Sequence, residues 1–163
     1  MVAGAVILPL NCRIKGIRDS KLLRESQREE LYTLITQQAS AWSSGSASVE
    51  EIQTLGIRQA NYLAMRRAVE VLSEGVDYVL VDAWTIPNLS FPQKGIIRGD
   101  QSIKSIAAAS IIAKVTRDRL MKILSQTYPE YGFQKHKGYG TIFHKQAITV
   151  HGPSPIHRLN FHF

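Results

Sequence analysis

The 163-residue sequence predicts a mixed α/β sheet with helices on its faces. Three observations lead there. Two strand-like runs, VAGAVIL at 2–8 and WSSGSASV at 42–49, flank a segment with helical periodicity. DYVLVDA at 77–83 is a short continuous apolar run, suited to a strand buried on both faces. After it, strand-like and helix-like segments alternate, which is the pattern of a sheet covered by helices.

The elements follow in order. VAGAVIL is rich in Val and Ile and reads as a strand. In SQREELYTLITQQA at 26–39, Ser26 and Glu29 have capping-box spacing, and Leu31, Leu34 and Ile35 give an apolar face. WSSGSASV is a strand of small residues. Ser48 and Glu51 form a second box, opening a helix that stops at Gly56. A long amphipathic helix then runs from 57 to about 75, ending at Gly75. KGIIRGD at 94–100 reads as a second short strand ending in an acid. The segment 102–128 is a long helix closed off before Pro129, and its smooth AAAS stretch at 107–110 suits close packing of helix on sheet. QKHKGYGT at 134–141 is a basic, glycine-containing loop, and TIFHKQAITVHG at 141–152 a last short helix. PSPIHRLNFHF at 153–163 has two prolines and reads as an extended surface tail. There is no internal repeat and no low-complexity linker, so a single domain over 1–163 is expected.

Composition narrows the function classes. The chain is 44% hydrophobic and 20% charged, as a protein with a buried core should be. No apolar run approaches the ~20 residues of a membrane helix. MVAGAVILPL is not expected to act as a secretory leader: it lacks a basic leading region and a small-residue cleavage site in the usual place, and Pro9 interrupts it. Cys12 is the single cysteine, which excludes an internal disulfide and a cysteine-based zinc site and makes the cytoplasm the simplest compartment. Lys and Arg number 20 against 13 Asp and Glu, for a net charge of +7, an excess that favours polyanions such as nucleic acid.

Two acids stand out by position. Asp82 ends the run YVLVD and Asp100 ends IIRGD. In open α/β sheets, sites gather at the carboxyl ends of strands. Two carboxylates on neighbouring strand ends can share a hard cation, since Mg²⁺ and Mn²⁺ prefer oxygen ligands; a bland capping role is the competing explanation for either acid alone. In KHKGYGT, Lys135 and Lys137 can meet phosphates, Gly138 and Gly140 allow close backbone approach, and Tyr139 offers a flat ring and a hydroxyl to a sugar or base. Alternatively this is a solvated basic turn with Tyr139 packed inward. Lys21, Arg24 and Arg28 either line a phosphate track or form a solvated helix face. Five histidines are present, but none shows a ligand pair at helical spacing, so a zinc cluster is not expected. Phosphate-loop, dinucleotide and nucleophile-elbow motifs are absent.

Taken together, the segments DSKLLRESQREELY, GSASVEEIQTLGIRQANYLAMRRAVE, DYVLVDA, IIRGDQSIKSIAAASIIAKVTRDRLM, YPEYGFQKHKGYGT and HGPSPIHRLNF resemble ribonuclease HII, the bacterial type 2 ribonuclease H. They stand in family order over nearly the whole chain. The resemblance implies a ribonuclease H fold, a five-stranded mixed sheet with flanking helices. It implies a monomeric endonuclease that hydrolyses the RNA strand of RNA–DNA hybrids and nicks DNA containing ribonucleotides, with no membrane partner. Four carboxylates would hold two Mg²⁺ or Mn²⁺ ions. By resemblance Asp82 and Asp100 are metal ligands, Tyr139 packs on the sugar at the ribonucleotide, and Asp19, Ser20 and Lys21 match a DSK segment near the substrate backbone; Lys137, on the loop with Tyr139, is a candidate substrate contact by its charge.

Two departures from the family pattern matter. The family usually has glycine after the strand-end acid, where this sequence has Ala83 followed by Trp84, a residue able to cover the sheet edge. The larger one is at the start. VAGAVIL matches the family's second strand, and the first, central strand with its DEAGRG-type motif is not in the sequence. Without that Asp-Glu pair the expectation is an incomplete domain with weak or no cleavage and low stability. The alternative reading is a non-catalytic binder of hybrid or duplex nucleic acid through Lys21, Lys135, Lys137 and Tyr139.

Overall fold

The computed structural model describes residues 1–72 and 75–159 and contains both α and β structure. Strand β1 (Val2–Ile7) pairs antiparallel with β2 (Ala41–Ser46), from Val2 opposite Ser46 to Ile7 opposite Ala41. Between them runs α1 (Glu25–Gln38). Helix α2 (Val49–Val71) and helix α4 (Lys104–Thr127) cover opposite faces of this ribbon. The small residues of the strands explain the closeness. A Cβ added at Gly4 would lie 2.4 Å from the Ala109 carbonyl oxygen of α4, and one at Gly45 would lie 2.2 Å from the Ala64 carbonyl oxygen of α2. The helices answer with alanines: Ala60 and Ala64 on α2, Ala107 and Ala108 on α4, all buried. The expectation of close helix-on-sheet packing at AAAS therefore holds.

The second ladder is parallel: β3 (Val79–Asp82) beside β4 (Gln93–Ile96), with Asp82 opposite Ile96. The resemblance implies one continuous sheet. With that sheet's central first strand not in the sequence, the described residues form two two-stranded ladders, and no hydrogen-bonded register joins β1 to β3. They meet through side chains, with Ala5 of β1 packed against the cluster of Val69, Val81 and Ile86. The main core lies between α1 and α4, where Leu31, Ile35, Ile111, Ile112 and Val115 are buried together. A smaller aromatic core follows α4. It is built by a 3-10 turn (Pro129–Tyr131), the helical turn α5 (Phe133–His136) and α6 (Ile142–His151).

The helix boundaries test the capping signals. Ser48 accepts the Glu51 N–H at 3.2 Å and Glu51 returns the bond to the Ser48 N–H at 2.8 Å, as the spacing predicts. Arg67 also binds the Glu51 carboxylate, and that hydrogen bond holds its pKa down to about 2. Gly56 adopts φ 77°, ψ 160°, so the predicted stop is a kink that divides α2. The other box is corrected. Helix α1 starts at Glu25, and the Gln27 side chain accepts the Arg24 N–H at 3.0 Å. Arg24 is the last extended residue, which places Ser26 inside the first turn. The carboxyl-terminal tail is corrected too: Ser154 and His157 are buried rather than laid over the surface. Residues 160–163 of that tail, and Ser73 and Glu74 of the preceding helix prediction, lie outside the described residues.

Candidate active site

Segments far apart in sequence converge beyond the carboxyl end of β3. Asp82 is the last residue of that strand, half-buried, and its Oδ1 accepts the Gly99 N–H at 3.0 Å. That bond ties the strand end to the turn carrying Asp100. The expected strand over KGIIRGD stops at Ile96, and Asp100 sits instead in a short helical turn, α3 (Gly99–Ser102). The reason is local: Arg98 adopts the left-handed φ of 56°, which ends the extended run, and Ile103 N–H closes on the Gly99 carbonyl at 2.8 Å. Asp100 is buried all the same, at 6% exposure.

Lys21 bridges the carboxylates. It belongs to a 3-10 turn (Ser20–Leu22) capped by Asp19, whose Oδ1 accepts the Lys21 N–H at 3.0 Å. The ammonium lies 3.4 Å from Asp100 Oδ2 and 4.0 Å from Asp19 Oδ1. Partial burial works to lower its pKa, but the charges of Asp19, Asp100 and the more distant Asp82 prevail and hold it above the usual lysine value of 10.5. Asp19, Ser20, Lys21, Asp82 and Asp100 thus fall on connected elements. Ser20 is buried, and its carbonyl accepts from Arg28 at 3.2 Å. Arg28 is accordingly neither a phosphate track nor a solvated face. It is turned inward onto the carbonyls of Ser20 and Leu23 and lies 3.6 Å from Asp118.

The basic loop forms a second platform. Tyr139 is 59% exposed, with Lys114 Nζ 5.5 Å and Arg117 Cζ 5.2 Å from its ring centroid. Inward packing of Tyr139 is excluded. Lys137 is different from expectation: it is buried, adopts φ 52°, and its ammonium donates back to the Gln134 carbonyl. Lys135 remains exposed and lies over the Phe143 ring. Gly138 has φ 80°, a conformation that favours glycine.

Sequence reasoning missed three features here. Lys114 and Arg117 were not singled out, although with Asp118 they share one face of α4 at helical spacing. Asp118 is a buried hub, 2.8 Å from Lys114 Nζ and within 4 Å of Arg28 and Arg117. Three histidines, His136, His144 and His157, come together although no spacing in the chain announces it. Among the described residues, no group of three or more His, Cys, Asp or Glu is placed to hold a metal ion. Two aspartates alone still suit a hard divalent ion, because Mg²⁺ commonly takes one or two carboxylates and completes its shell with water and substrate phosphate.

Comparison with known proteins bears on this arrangement. The sequence model of the ribonuclease HII family matches residues 1–163. The chain belongs to the ribonuclease HII family. The chain is 53% identical over 161 residues to the ribonuclease HII of Desulfitobacterium hafniense, covering 99% of this chain and 62% of that protein. It is 48% identical to that of Bacillus subtilis over 99% of this chain and 63% of the relative. For the ribonuclease HII of Marinomonas the figures are 49%, 99% and 81%. The chain therefore spans about three fifths of the length of the first two relatives. Among solved structures, the ribonuclease H2 of Pyrococcus horikoshii superposes with a TM-score of 0.70 at 25% identity, covering 88% of this chain and 75% of that one. The ribonuclease HII in a complex with PCNA from Archaeoglobus fulgidus gives 0.68 at 21% identity over 88% and 76%. The fold is that of the type 2 ribonucleases H. No described helix is long and apolar enough to cross a membrane.

Proposed function

We propose that the chain acts in the cytoplasm as an endonuclease of the type 2 ribonuclease H class, cutting the RNA strand of RNA–DNA hybrids and nicking at ribonucleotides embedded in DNA. The observation that carries this reading is the convergence of residues 19–21, 82 and 100 at one strand end, in a chain of this family. In the proposed reaction water adds to phosphorus and O3′ departs, leaving a 3′-hydroxyl and a 5′-phosphate. Asp82 and Asp100 would hold Mn²⁺ or Mg²⁺, with Asp82 fixed by the Gly99 N–H. When bound, such an ion supplies Lewis acidity at phosphate oxygens and an activated water. Lys21 contributes a cation to the phosphodiester while keeping Asp100 oriented. Tyr139, raised on the Lys114 and Arg117 platform, packs on the sugar at the ribonucleotide.

A second reading has its own support: the exposed Tyr139 ring amid cations is a stacking platform that needs no chemistry. One experiment separates the two. Residues 1–163 are incubated with a labelled RNA–DNA hybrid and Mn²⁺ or Mg²⁺, beside an Asp82→Asn variant. Cleavage that the variant abolishes supports the nuclease. Salt-sensitive binding with no cleavage supports the binder.

A further inference from the structure

We propose that His144 and His157 form a positioning relay that fixes the backbone of Tyr139, and so sets its ring for contact with nucleic acid. The inference rests on the reading of Tyr139 as a substrate-contacting residue. Its basis is a hydrogen-bonded chain whose proton positions the geometry dictates. His157 Nδ1 accepts the Ser154 N–H at 2.9 Å, and Ser154 Oγ lies 2.7 Å from the same nitrogen. A backbone N–H can only donate, so Nδ1 carries a lone pair and the His157 proton sits on Nε2. That nitrogen faces His144 Nε2 at 3.0 Å. His144 Nε2 must therefore accept, which puts the His144 proton on Nδ1, 3.0 Å from the Tyr139 carbonyl. A carbonyl can only accept, so both ends of the chain agree on one pair of neutral tautomers.

The surroundings hold the relay in register. His136 stacks on His144 with ring centroids 4.4 Å apart and planes 19° from parallel. Its own tautomer is fixed as well, because Nδ1 accepts the Gly138 N–H at 3.1 Å and Nε2 faces the Tyr131 carbonyl at 2.6 Å. Phe133 meets His144 edge-on. All three histidines are buried. The loop 137–140 is thus held by His136 at Gly138, by Arg117 at the Lys137 carbonyl (2.7 Å) and by His144 at the Tyr139 carbonyl. The Thr141 N–H shares that last carbonyl at 2.8 Å. The Tyr139 side chain leaves the anchored backbone toward solvent.

The relay works only with neutral rings. An added proton must go to His157 Nδ1 or His144 Nε2, and either choice sets two hydrogens between atoms about 3 Å apart. Among the described residues, the titratable and charged groups around the pair include His136, Tyr131 with His151 beyond it, Arg158 next in the chain to His157, and Lys114, Arg117 and Lys137 on the side of the Tyr139 loop. Burial, before any of these, pushes both His144 and His157 below the ordinary histidine value of 6.5.

The test has two arms. Amide hydrogen exchange of residues 137–140, corrected for intrinsic rates, is measured for the wild type at pH 7.5 and 5.5 and for His144→Phe and His144→Asn at pH 7.5. Phe keeps the stacked ring and loses the donor; Asn places an amide N–H near the site of Nδ1–H. The expected result is faster exchange in the loop at pH 5.5 and in His144→Phe, with Asn restoring slow exchange. The wild-type pH comparison decides this arm even where a variant fails to fold. In the second arm, affinity for a labelled RNA–DNA hybrid is measured in a cycle with Tyr139→Ala. His144→Phe should weaken binding about fivefold or more alone and add nothing in the Tyr139→Ala background. Unchanged loop exchange, or an equal loss in both backgrounds, overturns the relay. A Tyr139→Ala variant that binds as the wild type does overturns the reading of Tyr139 itself and, with it, the relay's purpose.

Discussion

Asp118 carries no part of the proposed chemistry, yet three cations from two helices depend on it: Lys114, Arg117 and Arg28. Its side chain is 6% exposed, so solvent cannot replace the carboxylate. Asp118→Asn should lower stability by about 3–5 kcal/mol, since removing one partner strands buried charge. Urea unfolding would show this as a lower midpoint at unchanged slope. Ala83 presents the opposite case. It adopts φ 64° directly after Asp82. The left-handed conformation costs an L residue about 1–2 kcal/mol, and glycine's extra entropy offsets about 0.5–1 of that. Ala83→Gly should therefore stabilise by about 0.5–1 kcal/mol, and a midpoint shift downward in the same assay would refute it. The resemblance flagged this position as a departure from glycine; the backbone angle gives the physical reason a glycine suits it.

At the scale of elements, the β1–β2 ribbon is defined by what it lacks. A methyl group at Gly45 would meet backbone atoms of α2, the Ala64 carbonyl oxygen at 2.2 Å and the Ala68 nitrogen at 2.5 Å. Backbone cannot rotate away as a side chain can. Gly45→Ala should cost about 1–3 kcal/mol through forced separation of helix and sheet, again read from the unfolding midpoint. The strands, the long helices and the Ser48–Glu51 box were legible in the sequence because each rests on local periodicity or a fixed spacing. The end of β4 was not. Nothing in IIRGD says that Arg98 turns left-handed, because that choice is settled by contacts with Asp82 and the following helix. The pairing of strands into two ladders is likewise a property of the chain in space.

For the molecule as a whole, the candidate site was legible only in part. Asp82, Asp100 and Tyr139 stood out through strand ends and a glycine-flanked aromatic. Lys137 drew notice for its charge, and the structure spends that charge on the Gln134 carbonyl. The histidine cluster was invisible because its members lie on three separate segments, 136, 144 and 157. It leads to a global prediction. Burial holds His144 and His157 below 6.5 in the folded state, so the unfolded chain takes up protons more readily as pH falls. Their contribution to stability is complete above about 6.5 and is lost as pH drops through the depressed folded values. Unfolding midpoints measured from pH 7.5 down to 5.5 should decline, and a profile flat over that window would refute the neutral pair.

Trp84 lends the strand end a use of its own. The sequence left open whether it covers the sheet edge, and it stands 69% exposed two residues after Asp82. The other tryptophan, Trp42, is edge-on to Tyr32 at 5.8 Å, on the β1–β2 ribbon. The two indoles are therefore spectroscopically unequal. Emission from Trp84 should be red-shifted and readily quenched by acrylamide, against a more sheltered background from Trp42. Ions or hybrid arriving beside Asp82 would register in that wet component, giving the protein an intrinsic optical gauge of occupancy that requires no label.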